Sequence, residues 1–247
     1  MLLHICSKPT LVISRPDAAH EIMKNHDVIF SSRPASSFSR KLLYNHKNVA
    51  FAPYGDYWKQ VREICVLLLL TTKRFQSFQP VREEETKAMI EIIKKSCSSS
   101  PSFFALVDLR EVLMSLSNDV TCRINLGKKY GREDSVGKKF RKMIAELSYL
   151  VGVFNVGEFI PWLAWVNYVV GLEQKVEKSF QEVDSFLDQI IKDHILKRKI
   201  KDYGDHAADG VGQDFVDFLL RLQEDKSAKN TIGRENIKTI VLVSNTS

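Results

Sequence analysis

Apolar residues recur along most of this chain at steps of three and four, the period of a helix with one buried side. The clearest run lies between about Leu172 and Lys199, where Val176, Phe180, Val183, Leu187, Ile190 and His194 alternate steps of 4 and 3. That is an amphipathic helix. From Asp56, the residues Trp58, Val61, Cys65 and Leu68 share one stripe. A helix over about Val81 to Lys95 is expected to bury Ala88, Met89, Ile92 and Ile93. The next carries Leu109, Leu113, Leu116, Val120 and Ile124, and Gly127 is placed to end it. Helical period resumes at Met143 and Leu147. Asp214 is placed to cap a short helix bearing Phe215, Phe218, Leu219 and Leu222, and a further apolar segment begins at Ile237.

Between these runs the pattern changes. Leu2 to Cys6 and Leu11 to Ser14 read as two short strands around the turn-prone Ser7-Lys8-Pro9. Pro16 and Asp17 open a helix through Ala18, Ala19, Ile22 and Met23, since proline suits the first helical position and an acid suits the positive end of the dipole. Residues 31–56, the aromatic stretch from Val153 to Trp165, the serine-rich stretch from Ser96 to Ser102 and residues 202–213 read as loop. The predicted class is mainly α with a small N-terminal β-hairpin.

Composition narrows this little. A chain of 247 residues with 44% apolar and 27% charged residues is ordinary globular material, which excludes a disordered or collagen-like chain. The 36 Lys and Arg against 30 Asp and Glu leave a net charge of +6, too diffuse to name a partner. The longest apolar run, Ile64 to Leu70, is far short of the roughly 20 residues that cross a membrane. The first residues do not read as a secretory signal, so the expectation is a soluble or peripheral protein. Cys6, Cys65, Cys97 and Cys122 form neither a zinc pattern nor a disulfide scaffold, as expected in a reducing compartment.

Most chemical motifs are missing. There is no GxGxxG and no GxSxG, and Gly152 to Gly157 has phosphate-loop spacing but Glu158 where a lysine belongs. The six histidines contain no i, i+4 metal pair, and no metal ligand set is assigned. His194 reads as a packed histidine on its apolar stripe. The basic stretches 128–142 and 196–201 read as solvated. No nucleic-acid-binding module accompanies them, so no nucleic-acid partner is expected. The sequon Asn245-Thr-Ser247 reads as chance.

One stretch is different. Residues 48–65, from Asn48-Val-Ala-Phe-Ala-Pro-Tyr-Gly-Asp-Tyr-Trp58 through Arg62 to Cys65, resemble the WxxxR helix of plant microsomal A-type cytochrome P450 enzymes, the haem-thiolate monooxygenases. Asp27 to Pro34, Ser77 to Glu85, Phe159 to Leu163 and Asp214 to Leu219 resemble further segments of the same group, in the same order. The resemblance covers nearly the whole chain. It implies an incomplete cytochrome P450 fold over residues 1–247, the N-terminal portion of a single catalytic domain.

On a helix, positions i and i+4 share a face, so the Trp58 indole N–H and the Arg62 guanidinium can address one carboxylate. The resemblance makes that carboxylate a haem propionate. It also implies a small lipophilic plant metabolite of secondary metabolism as substrate, with Phe38, Val49 and Leu150 as substrate-facing candidates. It implies an NADPH-dependent flavoprotein reductase as electron donor, with Lys59 and Lys73 as candidate contacts, and residence on the cytosolic face of the endoplasmic reticulum membrane through an anchor not found in these residues. No catalytic residue is assigned. Two parts of the family pattern are missing: no cysteine stands in a glycine-rich ligand loop, and no Glu stands three residues before an Arg. The expectation is a fragment that binds haem weakly if at all and has no monooxygenase activity alone. The alternative is a non-catalytic helical interaction protein retaining the scaffold.

Overall fold

The computed structural model describes residues 1–34, 36–69, 71–98, 106–130, 135–202, 214–224 and 233–246. Strands β1 (Leu2–Ile5) and β2 (Lys8–Leu11) pair antiparallel, with Leu2 opposite Leu11 and Ile5 opposite Lys8. The second strand starts three residues earlier than the hydrophobic pattern predicts and includes Pro9. A two-stranded ribbon has only edges, where proline's missing N–H is tolerated. The turn is Cys6-Ser7, with Cys6 left-handed at φ 53°. The Ser7 N–H and hydroxyl both donate to the Phe159 carbonyl, at 3.1 and 2.9 Å, which ties the hairpin to the middle of the chain.

Helix α1 (Pro16–His20) has the expected proline at its start and continues through a π-turn, Glu21–Asn25, into α2 (Asp27–Phe30). No residue in 1–34 is buried. The core begins with α3 (Ser37–Leu42), a helix inside the stretch that reads as loop. It is too short for its period to show, yet it buries Phe38, Ser39 and Leu42. Then follow α4 (Asp56–Leu69), α5 (Thr72–Ser77) and α6 (Gln79–Ser98). Next come α7 (Leu109–Leu126) and α8 (Ser135–Gly152). The aromatic stretch is helical too: α9 (Val156–Phe159), a 3-10 turn at Pro161–Leu163 and α10 (Ala164–Val169). The long α11 (Leu172–Asp202), α12 (Phe215–Glu224) and α13 (Arg234–Thr246) complete the fold. The polar stretch 203–213 and most of the serine-rich stretch lie outside the described residues. Among the described residues no single helix is long and apolar enough to cross a membrane.

One continuous core joins α3, α4, α7, α8, α11, α12 and α13. The stripe predicted for α11 is buried at Val176, Val183, Leu187, Ile190 and His194, with Phe180 packed against it. The stripe predicted for α7 is not the buried one. Leu109 and Leu113 are exposed, and the inward positions are Val112, Ser115, Asp119, Cys122, Asn125 and Leu126. Helix α7 packs against α6, α12 and α13, and polar residues face inward there: Asn125 donates to the Ser244 carbonyl at 3.2 Å, while Asp119 Oδ1 is buried with no hydrogen-bond partner among the described residues. Glu85, the buried residue of α6, binds Arg123 at 2.8 Å and also Lys129. Burial pushes its carboxyl up, and these two cations more than reverse that, leaving it below its ordinary value. The helix ends behave as the sequence predicts: Asp214 accepts from the Asp217 N–H at 2.9 Å, and Gly127 ends α7 at φ 62°.

Two buried histidines set the pH response. His194 Nδ1 lies 2.8 Å from the Ile190 carbonyl and Nε2 lies 2.9 Å from the Asp214 carboxylate. Both partners are acceptors, so the imidazolium is the fully bonded form. Burial disfavours it, but Asp214 prevails and raises the pKa above its ordinary value. His46, beside the Ser39 hydroxyl at 2.9 Å, is lowered by burial and then by Arg40. A raised histidine stabilises below about pH 6.5, and that contribution fades as pH rises through its folded value; a lowered histidine destabilises as pH falls below about 6.5. The melting temperature is therefore expected to peak near pH 6.5. His194→Gln should flatten the alkaline side of that peak and His46→Asn the acid side. Thermal melts between about pH 5.5 and 8 check this, and an unchanged profile in both variants would refute it.

Candidate functional site

The site is built on an unusual turn. Tyr44, Asn45 and His46 are consecutive non-glycine residues with left-handed backbones, at φ 50°, 58° and 59°. Such conformations cost on the order of 1 kcal/mol each and persist only where neighbours fix them. Here the Tyr44 hydroxyl donates to Asp184 Oδ1 of α11 at 2.5 Å. The Asn45 N–H donates to the Arg40 carbonyl at 2.7 Å. Thr239 of α13 donates its hydroxyl to the Lys47 carbonyl at 2.5 Å. Lys238, also buried, bridges Asp184 at 2.6 Å and Asp188 at 2.9 Å. Arg234 adds a second contact to Asp188, at 2.9 Å.

The chain then reverses at Asn48, which is completely buried. Its side-chain oxygen accepts from the Ala50 and Phe51 N–H groups at 3.0 and 2.9 Å, the local bonding at which asparagine excels. This turn aims the Val49 carbonyl at α4, where the Trp58 indole N–H donates to it at 2.9 Å. Asp56 sits in the first turn of α4, where the helix dipole favours an acid.

Helix α4 is two-sided. Val61, Ile64 and Cys65 enter the core. Trp58, half-buried, and Arg62, exposed, lie along the edge of that buried face. The Arg62 guanidinium lies 5.5 Å from the centre of the Trp58 ring, and Tyr54 packs on the same ring at 5.5 Å. The two residues thus share a face, as their spacing predicts. Arg62 makes no ion pair with any described residue, so a cation is held on an aromatic platform and open to an external carboxylate. The Trp58 donor, in contrast, is committed to Val49.

The remaining sequence candidates fall elsewhere. Phe38 and Leu150 are buried in the core and Val49 packs against it. Lys59 and Lys73 are exposed. Lys59 lies 5.3 Å from the Tyr54 ring, on the same end of α4 as Trp58, whereas Lys73 lies on α5. The sequence reading missed the roles of Asn48, Asp184, Lys238 and Thr239. An asparagine two and three residues ahead of free backbone N–H groups is a legible signal; the ion pairs are not, because they join residues far apart in sequence, 54 positions for Lys238 and Asp184.

The residues fit one end of haem. Arg62 suits its acidic side chains. For the iron, the two core cysteines are poorly disposed: burial pushes the Cys65 thiol up to about 11 and the Cys122 thiol up to about 12, so both are protonated near neutrality. Cys6 and Cys97 are exposed, in the hairpin turn and the last turn of α6.

The family profile described as Cytochrome P450 matches residues 1–245. The chain is 43% identical over 244 residues to cytochrome P450 736A117 of Prunus mume, covering 98% of this chain and 45% of that protein. It is 42% identical over 243 residues to cytochrome P450 71A1 of Persea americana, with coverages of 98% and 47%. It is 45% identical over 242 residues to cytochrome P450 71A23 of Arabidopsis thaliana, with coverages of 98% and 46%. The chain spans about half the length of the curated relatives it matches. Among solved structures, a zebra fish cytochrome P450 with progesterone superposes with a TM-score of 0.73 at 19% identity, over 98% of this chain and 51% of that one. The fold is that of part of such a protein.

Trp58 and Arg62 are expected to separate on mutation. Trp58→Phe leaves the Val49 carbonyl without its donor and should cost about 1 kcal/mol, with faster amide exchange over residues 48–55. Arg62→Ala removes an exposed group and should stay within about 0.5 kcal/mol. Denaturant unfolding and hydrogen exchange measure both; equal losses would contradict this account of the site.

Proposed function

This chain belongs to the cytochrome P450 family, and from that premise we propose that it forms the propionate-binding side of a haem-dependent monooxygenase. The observation that carries this reading is the Arg62 guanidinium, exposed and held on the Trp58 ring without a carboxylate partner among the described residues. When bound, haem supplies the iron-centred redox chemistry by which an oxygen atom from dioxygen enters a substrate. Arg62 holds a propionate through charge-assisted hydrogen bonds. Trp58 orients Arg62, and its own N–H reaches a propionate only by leaving Val49.

The substrate is a small lipophilic plant metabolite of secondary metabolism, and Phe38, Val49 and Leu150 shape its side of the intact protein. An NADPH-dependent flavoprotein reductase docks near Lys59 and Lys73, whose charge complements an acidic partner face. The intact protein resides at the endoplasmic reticulum membrane, on its cytosolic face. Residues 1–247 alone have no monooxygenase activity. The thiolate that drives O–O cleavage must be a ligand of the iron, and the core thiols here are buried and protonated. A second reading, a non-catalytic helical interaction protein, draws on the core that runs continuously through seven helices.

Two measurements test this. Haem titrated into residues 1–247 should bind with an affinity that Arg62→Glu lowers about tenfold, a loss of about 1.4 kcal/mol. Indifference to Arg62→Glu would remove the propionate role. After reduction and addition of carbon monoxide, the difference spectrum should lack a thiolate-type band, and a supplied reductase should support no turnover. A thiolate-type band or turnover would overturn the proposed inactivity. A cooperative melt unchanged by haem, together with a specific protein partner, would favour the second reading.

A further inference from the structure

We propose that the groove between the start of α8 and the middle of α11 binds a planar amphipathic organic anion, a carboxylate or sulfonate carried on an apolar ring system. The groove measures about 970 Å³, within the usual range for small-molecule sites, and shares no residue with the Trp58 and Arg62 face. Its floor is aromatic. Tyr130, Phe140 and Phe186 pack on one another, with ring centres 4.9 Å apart for Tyr130 and Phe140 and 5.0 Å for Phe140 and Phe186.

The rim is basic. Lys128, Lys129, Lys139 and Lys178 line it. Lys128 is taken by Asp193 at 3.1 Å and Lys129 by Glu85. Lys139 and Lys178 have no ion pair among the described residues. Glu182 stands on the rim one turn from Lys178, but no ion pair joins them. With Asp193 taken by Lys128, the described residues leave Lys139 and Lys178 against Glu182 above an apolar floor.

The Tyr130 hydroxyl supplies a further polar contact. The residue is 7% exposed and lines the groove, yet no described residue hydrogen-bonds its hydroxyl. Burial keeps this phenol protonated, as a donor, throughout the neutral range. A ligand with a flat apolar body and one anionic group satisfies floor, lysines and phenol together. A neutral ligand leaves the lysines unused, and a bare inorganic anion leaves the floor unused.

The probe is 2-naphthoate, titrated into residues 1–247 and followed by its fluorescence anisotropy. It should bind saturably at one site. The neutral analogue 2-naphthalenemethanol should bind about tenfold more weakly. The double variant Lys139→Glu/Lys178→Glu should lose about tenfold in affinity and Tyr130→Phe about threefold, while Lys24→Glu on the distant π-turn should lose nothing. Circular dichroism verifies that each variant is folded. If the double reversal unfolds the chain, Lys139→Gln/Lys178→Gln takes its place, and amide shift changes confined to residues 136–143 and 178–190 are the supporting result. Absent saturation, equal binding of acid and alcohol, or shift changes elsewhere would overturn the proposal.

Discussion

The placement of every residue in the candidate site depends on one constraint, the left-handed turn at Tyr44, Asn45 and His46. No local preference favours three such residues in succession. The turn is held from outside, by Asp184 on α11 and Thr239 on α13, which come from far along the sequence. It fixes where Asn48 begins its reversal, so it fixes which carbonyl meets the Trp58 indole. Arg62 then follows, one helical turn on. The position of a single guanidinium on the surface is thus the last step in a chain of contacts that starts at a buried lysine, Lys238, between two aspartates.

The same logic separates the two ends of the proposed cofactor. Holding an acidic side chain requires only an unpaired cation in a fixed place, and a helix surface can supply that by itself. Ligating iron through sulfur requires a thiolate, and a thiol surrounded by core side chains is stabilised in the opposite, protonated form. Cys65 lies three residues beyond Arg62 on the same helix, about 60° round its axis, and that step takes it from the exposed edge into the core. One helix therefore presents a cation at the surface and keeps its thiol in the core.

Legibility in the sequence followed element length and the nature of the partner. The long helix α11 and its buried stripe were evident because thirty-one residues give the period many chances to repeat. Gly127 and Asp214 were legible as helix ends because capping is local chemistry. Helix α3 and the turns α9 and α10 were not, since four to six residues carry no period. Helix α7 misled for a different reason. Its leucines offered a stripe, but its buried face was decided by the neighbouring helices, one of which gives Asn125 a carbonyl partner, and apolar patterning is blind to such partners. In the site, the shared face of Trp58 and Arg62 was readable from spacing, whereas the commitment of the indole to Val49 required the turn at Asn48.

Charge shows the same limit from the other direction. A net charge of +6 spread over 247 residues reads as diffuse, and the stretch 128–142 reads as a solvated basic run. The fold divides that run by function. Lys129 is spent neutralising a buried glutamate, Lys128 pins the end of α7 to α11, and Lys139, beside aromatic rings, is left with no ion pair among the described residues. Neighbouring lysines thus hold unequal energies: one compensates a carboxylate that burial would otherwise neutralise, and another has no carboxylate to compensate among the described residues. Electrostatic meaning therefore lies in which cations remain after the interior has taken its share.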